Sequence, residues 1–215
     1  MSTVSQDETS DQDGYAKEWL SVEEWQKLRT APDNKDYQRG DTEMKRWRDE
    51  LLLKVTYRGG LRISEALDLQ YPYNFRTEED EGYVVLKETK TNEDIELQPI
   101  GKDLVREVSR FMQAYYDESE TNFVFNNGRG SSMSRQRAYQ IVNEMAEVAE
   151  IDKKLGTHTL RRSRAKHLHE SGEMDLSDVS DFLRHSKVST TRDYLNISKK
   201  QMAQTVSKID EQHDL

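Results

Sequence analysis

Apolar residues recur every three or four positions along most of this chain, and that spacing makes helix the dominant element. Met44, Trp47, Leu51 and Val55 share one helical face, as do Leu104, Val108, Phe111 and Tyr115. Ala138, Ile141, Val142, Met145 and Val148 form a third stripe, and Met202, Val206 and Ile209 a fourth. The pattern breaks between Gln70 and Pro99. There Tyr83-Val84-Val85-Leu86 and Ile95-Glu96-Leu97 read as strands on either side of a polar turn, Lys90-Thr91-Asn92-Glu93-Asp94. A third strand is expected near Tyr71–Phe75. The fold class is therefore mainly α with a small antiparallel β-sheet inserted early, an α+β domain.

Local signals punctuate the helices. Ser21-Val22-Glu23-Glu24 has the S-x-x-E form of a capping box and opens a short first helix. A second helix runs from about Asp41 to Tyr57 and is stopped by Gly59-Gly60, with a further short helix over Ile63 to Leu67. Towards the C-terminus, helices are expected over about 159–171, 176–184 and 189–195, and a last amphipathic one over about Ser198 to Asp210. Residues 1–14 have no apolar periodicity and read as a disordered acidic tail, leaving 15–215 as one domain.

Charge and cysteine content narrow the function. The chain has 41 Asp+Glu against 32 Lys+Arg, a net charge of −9, which excludes a uniformly basic nucleic-acid binder but not a local basic patch. Acidity of this kind fits a salt-adapted host as well as an ordinary soluble protein. Zero cysteines exclude a disulfide framework, a thiolate zinc site and a cysteine nucleophile. The polar first twenty residues lack the apolar run of a signal peptide, so a soluble, cytoplasmic protein without membrane contact is expected. Residues 1–20 carry −4 and residues 51–100 another −4, while 151–200 carry +4. Within that last block, Lys153 to Lys166 holds six Lys/Arg and no acid.

His158-Thr159-Leu160-Arg161 puts an imidazole and a guanidinium three residues apart at the entry of this basic helix, on one face. Free N–H groups at helix N-termini attract anions, so phosphate is the expected ligand class. His185 follows in Leu183-Arg184-His185-Ser186, and nine residues later comes Tyr194 in Ser189-Thr190-Thr191-Arg192-Asp193-Tyr194. Much earlier, Gly60-Leu61-Arg62-Ile63-Ser64-Glu65-Ala66-Leu67 sets an arginine just after the double glycine. Lys90 sits in the hairpin turn. His167-Leu168-His169 has the look of a metal pair, but no cysteine or carboxylate stands at supporting spacing, so a packed or exposed pair is expected instead.

In their order along the chain, GLRISEAL, HTLRRS and LRHSKVSTTRDYLNIS resemble the tyrosine recombinase (phage integrase) family, and the resemblance spans roughly residues 18–200, its catalytic domain. It implies that the six active-site roles fall on Arg62, Lys90, His158, Arg161, His185 and Tyr194. Lys90 lies nine residues before Pro99, one more than the family's spacing, and Lys87 is the alternative hairpin lysine.

The implied chemistry suits these residue types. Tyr194 would be the nucleophile, forming a covalent 3′-phosphotyrosine that conserves bond energy for rejoining. Arg62 and Arg161 would grip the non-bridging oxygens bidentately, each charge-assisted contact being worth about 1.5–3 kcal/mol. Lys90 would protonate the departing 5′ oxygen, His158 would act as acid/base, and His185 would donate to the phosphate. Glu65 is placed to orient Arg62. Lys153, Lys154, Arg162, Arg164 and Lys166 are candidate contacts to the DNA backbone.

The resemblance further implies double-stranded DNA with specific sites as partner, and neither metal, ATP nor any other cofactor. It implies a monomer in solution that assembles as a homotetramer on DNA, and a role tied to mobile genetic elements. The family's N-terminal helical domain, which closes over the other side of the DNA, is expected to be absent here or supplied by another chain, such as an accessory DNA-binding protein. The apolar stripe of the last helix is expected to meet a neighbouring protomer. A type IB topoisomerase shares this catalytic set, and a silent DNA-binding regulator could share the fold.

Overall fold

The computed structural model describes residues 18–87, 95–116, 121–156 and 158–195, the last four of these as helical backbone. The acidic tail, Lys90 with its turn, and the helix expected after Ser198 lie outside the described residues.

The first helix, α1 (Val22–Asn34), is opened by a reciprocal capping box: Ser21 Oγ accepts the Glu24 N–H at 3.1 Å, and Glu24 accepts the Ser21 N–H at 2.7 Å. Asp41 caps α2 (Thr42–Arg58) by accepting the Met44 N–H at 2.8 Å. This helix carries more than one apolar stripe. Leu51, Leu52, Leu53 and Val55 are all fully buried because α2 packs against α1, α4 (Lys102–Tyr115) and α6 (Thr159–Glu170). It is the axis of the domain, and its C-terminal end at Gly59-Gly60 delivers the chain to the short α3 (Ile63–Leu67).

Three antiparallel strands in the order β1-β2-β3 form the sheet: β1 (Phe75–Glu78), β2 (Glu81–Lys87) and β3 (Ile95–Pro99). Phe75 pairs with Val84, and Tyr83 with Pro99. The two strands lie where the apolar run Tyr83–Leu86 and the segment Ile95–Leu97 put them. The third strand is displaced towards the C-terminus from its expected place at Tyr71–Phe75. Residues 70–74 are consumed by a turn in which Asn74 N–H meets the Gln70 carbonyl at 2.8 Å and Phe75 N–H meets that of Pro72 at 3.1 Å. Those hydrogen bonds satisfy the backbone locally, and pairing begins only at Phe75.

Helices α4 and α5 (Arg135–Val148) bury the faces their spacing marks, Leu104, Val108 and Phe111 on one and Ala138, Ile141, Val142 and Met145 on the other. The main core gathers α1 to α5 with the sheet. A second, smaller cluster of Ala165, Val179 and Leu183, with Leu168, Met174, Leu176 and Phe182 against it, joins α6 to α7 (Leu176–Phe182). That cluster fixes where residues 183–185 leave α7 and how α8 (Val188–Leu195) follows. Among the described residues no helix is long and apolar enough to cross a membrane.

Candidate active site

The site forms where the ends of α2 and α7 meet the first turns of α3 and α6. Gly60 takes a left-handed φ of +54°, and a Cβ there would lie 2.6 Å from the Phe182 ring. Glycine is thus required both by the turn and by the close approach of α7. The turn aims the Gly60 carbonyl at Arg161, whose Nη1 donates to it at 2.5 Å. Nη2 of the same fork donates to the carbonyl of Leu183. Arg161 is only 2% exposed. Each terminal nitrogen carries two hydrogens, so the two carbonyls fix the plane of the fork without exhausting its donors.

Arg62 occupies the N-cap position of α3 and is 45% exposed. Glu65 reaches back to it twice, accepting the Arg62 backbone N–H at 2.7 Å and Nη1 at 2.8 Å. Glu65 also accepts from Arg184 at 2.6 Å and lies 4.0 Å from Arg161. One carboxylate thereby balances three guanidinium groups. Arg184, Arg62 and Arg161 together hold its pKa below the usual carboxylate value against the opposing effect of burial.

His185 follows Arg184 directly, and its Nδ1 lies 2.8 Å from the buried Thr191 hydroxyl. Burial, then the charges of Arg161, Arg62 and Arg184, push its pKa down to about 4. The imidazole is therefore neutral near pH 7. In the tautomer where the Thr191 hydroxyl donates to Nδ1, the proton sits on Nε2, and that is the form able to donate to an anion there. Thr191 lies on α8, one turn before Tyr194, so this bond docks the helix that carries the tyrosine. Tyr194 is described as helical backbone, and its side chain lies outside the description.

Arg62 and Glu65 from the first half of the chain are thus brought together with Arg161 and His185 from its last third. His158 is half-buried at the N-cap of α6, one turn before Arg161, with its carbonyl accepting the Arg162 N–H at 2.9 Å. Lys90 lies outside the described residues, and Lys87 is described only as the last backbone position of β2.

The candidate DNA-contacting cations divide. Lys153 is turned inward, donating to the Trp19 carbonyl at 3.2 Å and pairing with Glu24 at 2.7 Å. Lys166 pairs with Glu170 at 2.7 Å and lies over the Trp19 ring. Arg164 covers the rings of Tyr57 and Phe182. Lys153 ties the loop before α6 to the start of α1, and Lys166 and Arg164 pack α6 against Trp19, Tyr57 and Phe182, so each of these cations has a structural contact within the domain. Lys154 is exposed and Arg162 half-buried. His167 is likewise structural. Its Nε2 donates to the Leu20 carbonyl at 2.9 Å, which leaves Nδ1 to accept from the Tyr57 hydroxyl at 2.5 Å. Burial lowers its pKa, in keeping with the neutral form.

Sequence reasoning missed Arg184, Gln98 and Thr191. The two flanking motif residues stood inside the quoted stretches with no role attached. Nothing in the sequence marks Gln98, a strand residue whose Oε1 accepts from Arg184 and whose Nε2 donates to the Phe182 carbonyl at 3.2 Å.

A mostly helical domain with one small three-stranded antiparallel sheet, in this order of elements, is the fold of tyrosine recombinase catalytic domains. Residues 18–201 match the model of the phage integrase family, and the chain belongs to that family. Tyrosine recombinase XerD of Chlorobaculum tepidum is 32% identical over 193 residues, covering 86% of this chain and 59% of that protein. Tyrosine recombinase XerD of Corynebacterium glutamicum is 34% identical over 154 residues, covering 70% and 49%. This chain therefore spans about half to three fifths of these relatives' length. Among solved structures, the XerH site-specific recombinase bound to palindromic difH substrate, in its post-cleavage complex, superposes with a TM-score of 0.71. The identity is 24%, over 88% of this chain and 52% of that one. The Tn1549 transposon integrase in complex with circular intermediate DNA gives a TM-score of 0.62 at 15% identity, over 92% and 66%. These two likenesses are likenesses of fold.

Proposed function

We propose that this chain carries the catalytic domain of a site-specific DNA recombinase that cuts and rejoins strands through a 3′-phosphotyrosine at Tyr194. The observation that carries the reading is the convergence of Arg62, Arg161 and a neutral His185 from three separate segments, with Glu65 orienting the first. In the cleavage step the Tyr194 oxygen attacks the scissile phosphorus and the bond to the 5′ oxygen breaks. His158 takes the tyrosine proton and Lys90 protonates the departing 5′ oxygen. Arg62 and Arg161 neutralise charge on the non-bridging oxygens, and His185 donates through Nε2–H. One phosphodiester replaces another, so the step runs back with a new 5′-hydroxyl as readily as it runs forward. It calls on neither metal nor ATP.

The partner in this reading is double-stranded DNA at specific sites, on which four protomers assemble, with a clamp on the far face supplied by further sequence or another protein. Lys153, Lys154, Arg162, Arg164 and Lys166 are the cations of this region proposed as DNA-backbone contacts, Lys154 being the exposed one. With so few focused contacts on an acidic surface, binding falls as salt rises.

The test uses nicked suicide duplexes spanning the flanks of the protein's own locus. A covalent protein–DNA adduct that forms on some duplexes and disappears in Tyr194→Phe is the expected result. Adducts on every sequence would point to a topoisomerase instead. No adduct across a range of salt would overturn the enzymatic reading.

A further inference from the structure

Arg184 stands apart from every other residue of the site. It is a non-glycine residue with a left-handed φ of +57°, directly before His185, and its side chain is only 8% exposed. A backbone conformation unfavourable to a side chain persists where surrounding contacts over-determine it. Those contacts are specific here. Its Nη2 donates to Glu65 on α3 at 2.6 Å. Its Nη1 donates to Gln98 on β3, and its Nε lies 3.7 Å from Glu96 on the same strand. Gln98 in turn holds the last carbonyl of α7, that of Phe182.

The turn that Arg184 anchors has two outputs. The residue before it, Leu183, presents the carbonyl that fixes Arg161. The residue after it is His185, whose backbone N–H is held by the Ser180 carbonyl at 3.0 Å. Through Glu65 the same guanidinium reaches the partner of Arg62. A planar fork spreads its donors over fixed, separated directions, so it can span acceptors on α3 and β3 that a single ammonium nitrogen serves less well.

We propose that Arg184 is a positioning residue of this site, clamping α3, β3 and the turn after α7 so that Arg62, Arg161 and His185 converge on one phosphate. It acts through Glu65 and the Leu183 carbonyl and does not itself touch substrate. The inference rests on the recombinase reading above.

The test compares wild type with Arg184→Gly, which removes the clamp while relieving the left-handed backbone, and with Arg184→Lys. Three quantities are read: the thermal midpoint, the Kd for a cognate nicked duplex, and the single-turnover rate of adduct formation at saturating DNA. Each rate is measured on an ordinary phosphodiester and on a methylphosphonate, which has one non-bridging oxygen fewer to neutralise. Arg184→Gly should keep its Kd within about threefold yet cleave the phosphodiester about 100-fold more slowly, the cost of misplacing catalytic groups by about 1 Å. Arg184→Lys should recover part of that loss. On the methylphosphonate the deficit of Arg184→Gly should shrink to about threefold, because the misplaced arginines then matter less. A deficit equal on both substrates would mark a general loosening and overturn the proposal, as would an unimpaired phosphodiester rate. If wild type itself forms no adduct, the recombinase reading fails and this inference with it. A normal wild type beside a normal Arg184→Gly removes this inference alone.

Discussion

Replacing Glu65 by Gln removes one negative charge and almost no volume, and the structure sets the cost. Glu65 accepts three hydrogen bonds: the Arg62 N–H at 2.7 Å, Arg62 Nη1 at 2.8 Å and Arg184 Nη2 at 2.6 Å. A Gln oxygen can keep one side of this arrangement, but its NH2 then faces a guanidinium donor, and one charge-assisted bond is lost outright. That bond is worth about 1.5–3 kcal/mol, and the two remaining bonds each weaken by about 1 kcal/mol on losing the anionic acceptor. Glu65 is 21% exposed, and solvent screening trims the sum. The expected destabilisation at pH 7 is about 2–4 kcal/mol, which moves a urea midpoint by about 1 M or more. The pH dependence provides an internal check. The folded pKa of Glu65 lies below 4.5, so its contribution is complete above that value and lost as pH falls through the folded pKa. The gap between wild type and variant should therefore be full at pH 7 and close in acid. A difference under about 0.5 kcal/mol at pH 7, or a gap that persists unchanged in acid, would refute the assignment of Glu65 as the common counter-ion.

Further outcomes follow from neighbouring groups. Gly60→Ala forces a side chain into φ +54° and a 2.6 Å approach to Phe182, so a loss of about 2–4 kcal/mol in chemical denaturation is expected, and a loss below 1 kcal/mol would contradict the packing. His185 should titrate near pH 4 when its imidazole is followed by NMR, and a value near 6.5 would contradict its burial beside three arginines. Between pH 6.5 and 4 the unfolded state takes up a proton that folded His185 refuses. Its contribution to stability is thus whole above pH 6.5 and declines through that window as pH falls. Thr191→Val keeps the shape at a buried position but deletes the bond to His185 Nδ1. It should cost about 0.5–1.5 kcal/mol and slow adduct formation, whereas an unchanged cleavage rate would remove Thr191 from any part in setting the tautomer.

Much of this fold was legible because single-face helices announce themselves. Ser21 and Glu24 closed the capping box that their spacing specified, and the stripe from Leu104 to Phe111 is buried as read. The central helix was under-read, since one stripe was visible in it while Leu52 and Leu53, off that stripe, are also fully buried by neighbours on other sides. The strand at Phe75–Glu78 escaped its expected place because turn hydrogen bonds between Gln70 and Phe75 compete with pairing, a contest that alternation alone does not register. In the site, the resemblance of the ordered motifs to tyrosine recombinases pointed to Arg62, Arg161 and His185. Their supports are long-range. Gln98 meets Arg184 across 86 positions of chain, and the inward turn of Lys153 depends on Glu24 across 129. No local pattern carries such information, which is why the run of candidate DNA-backbone contacts gave no hint that Lys153, Arg164 and Lys166 also meet Trp19, Tyr57, Glu24 and Glu170.

The central claim is the covalent bond at Tyr194, and peptide mapping of the trapped adduct tests it most directly. After nuclease and protease digestion, mass spectrometry should place a nucleotide remnant, joined through its 3′ phosphate, on the Tyr194 hydroxyl, with a free 5′-hydroxyl on the released strand. A remnant on any other residue, or one joined through a 5′ phosphate, would contradict the account.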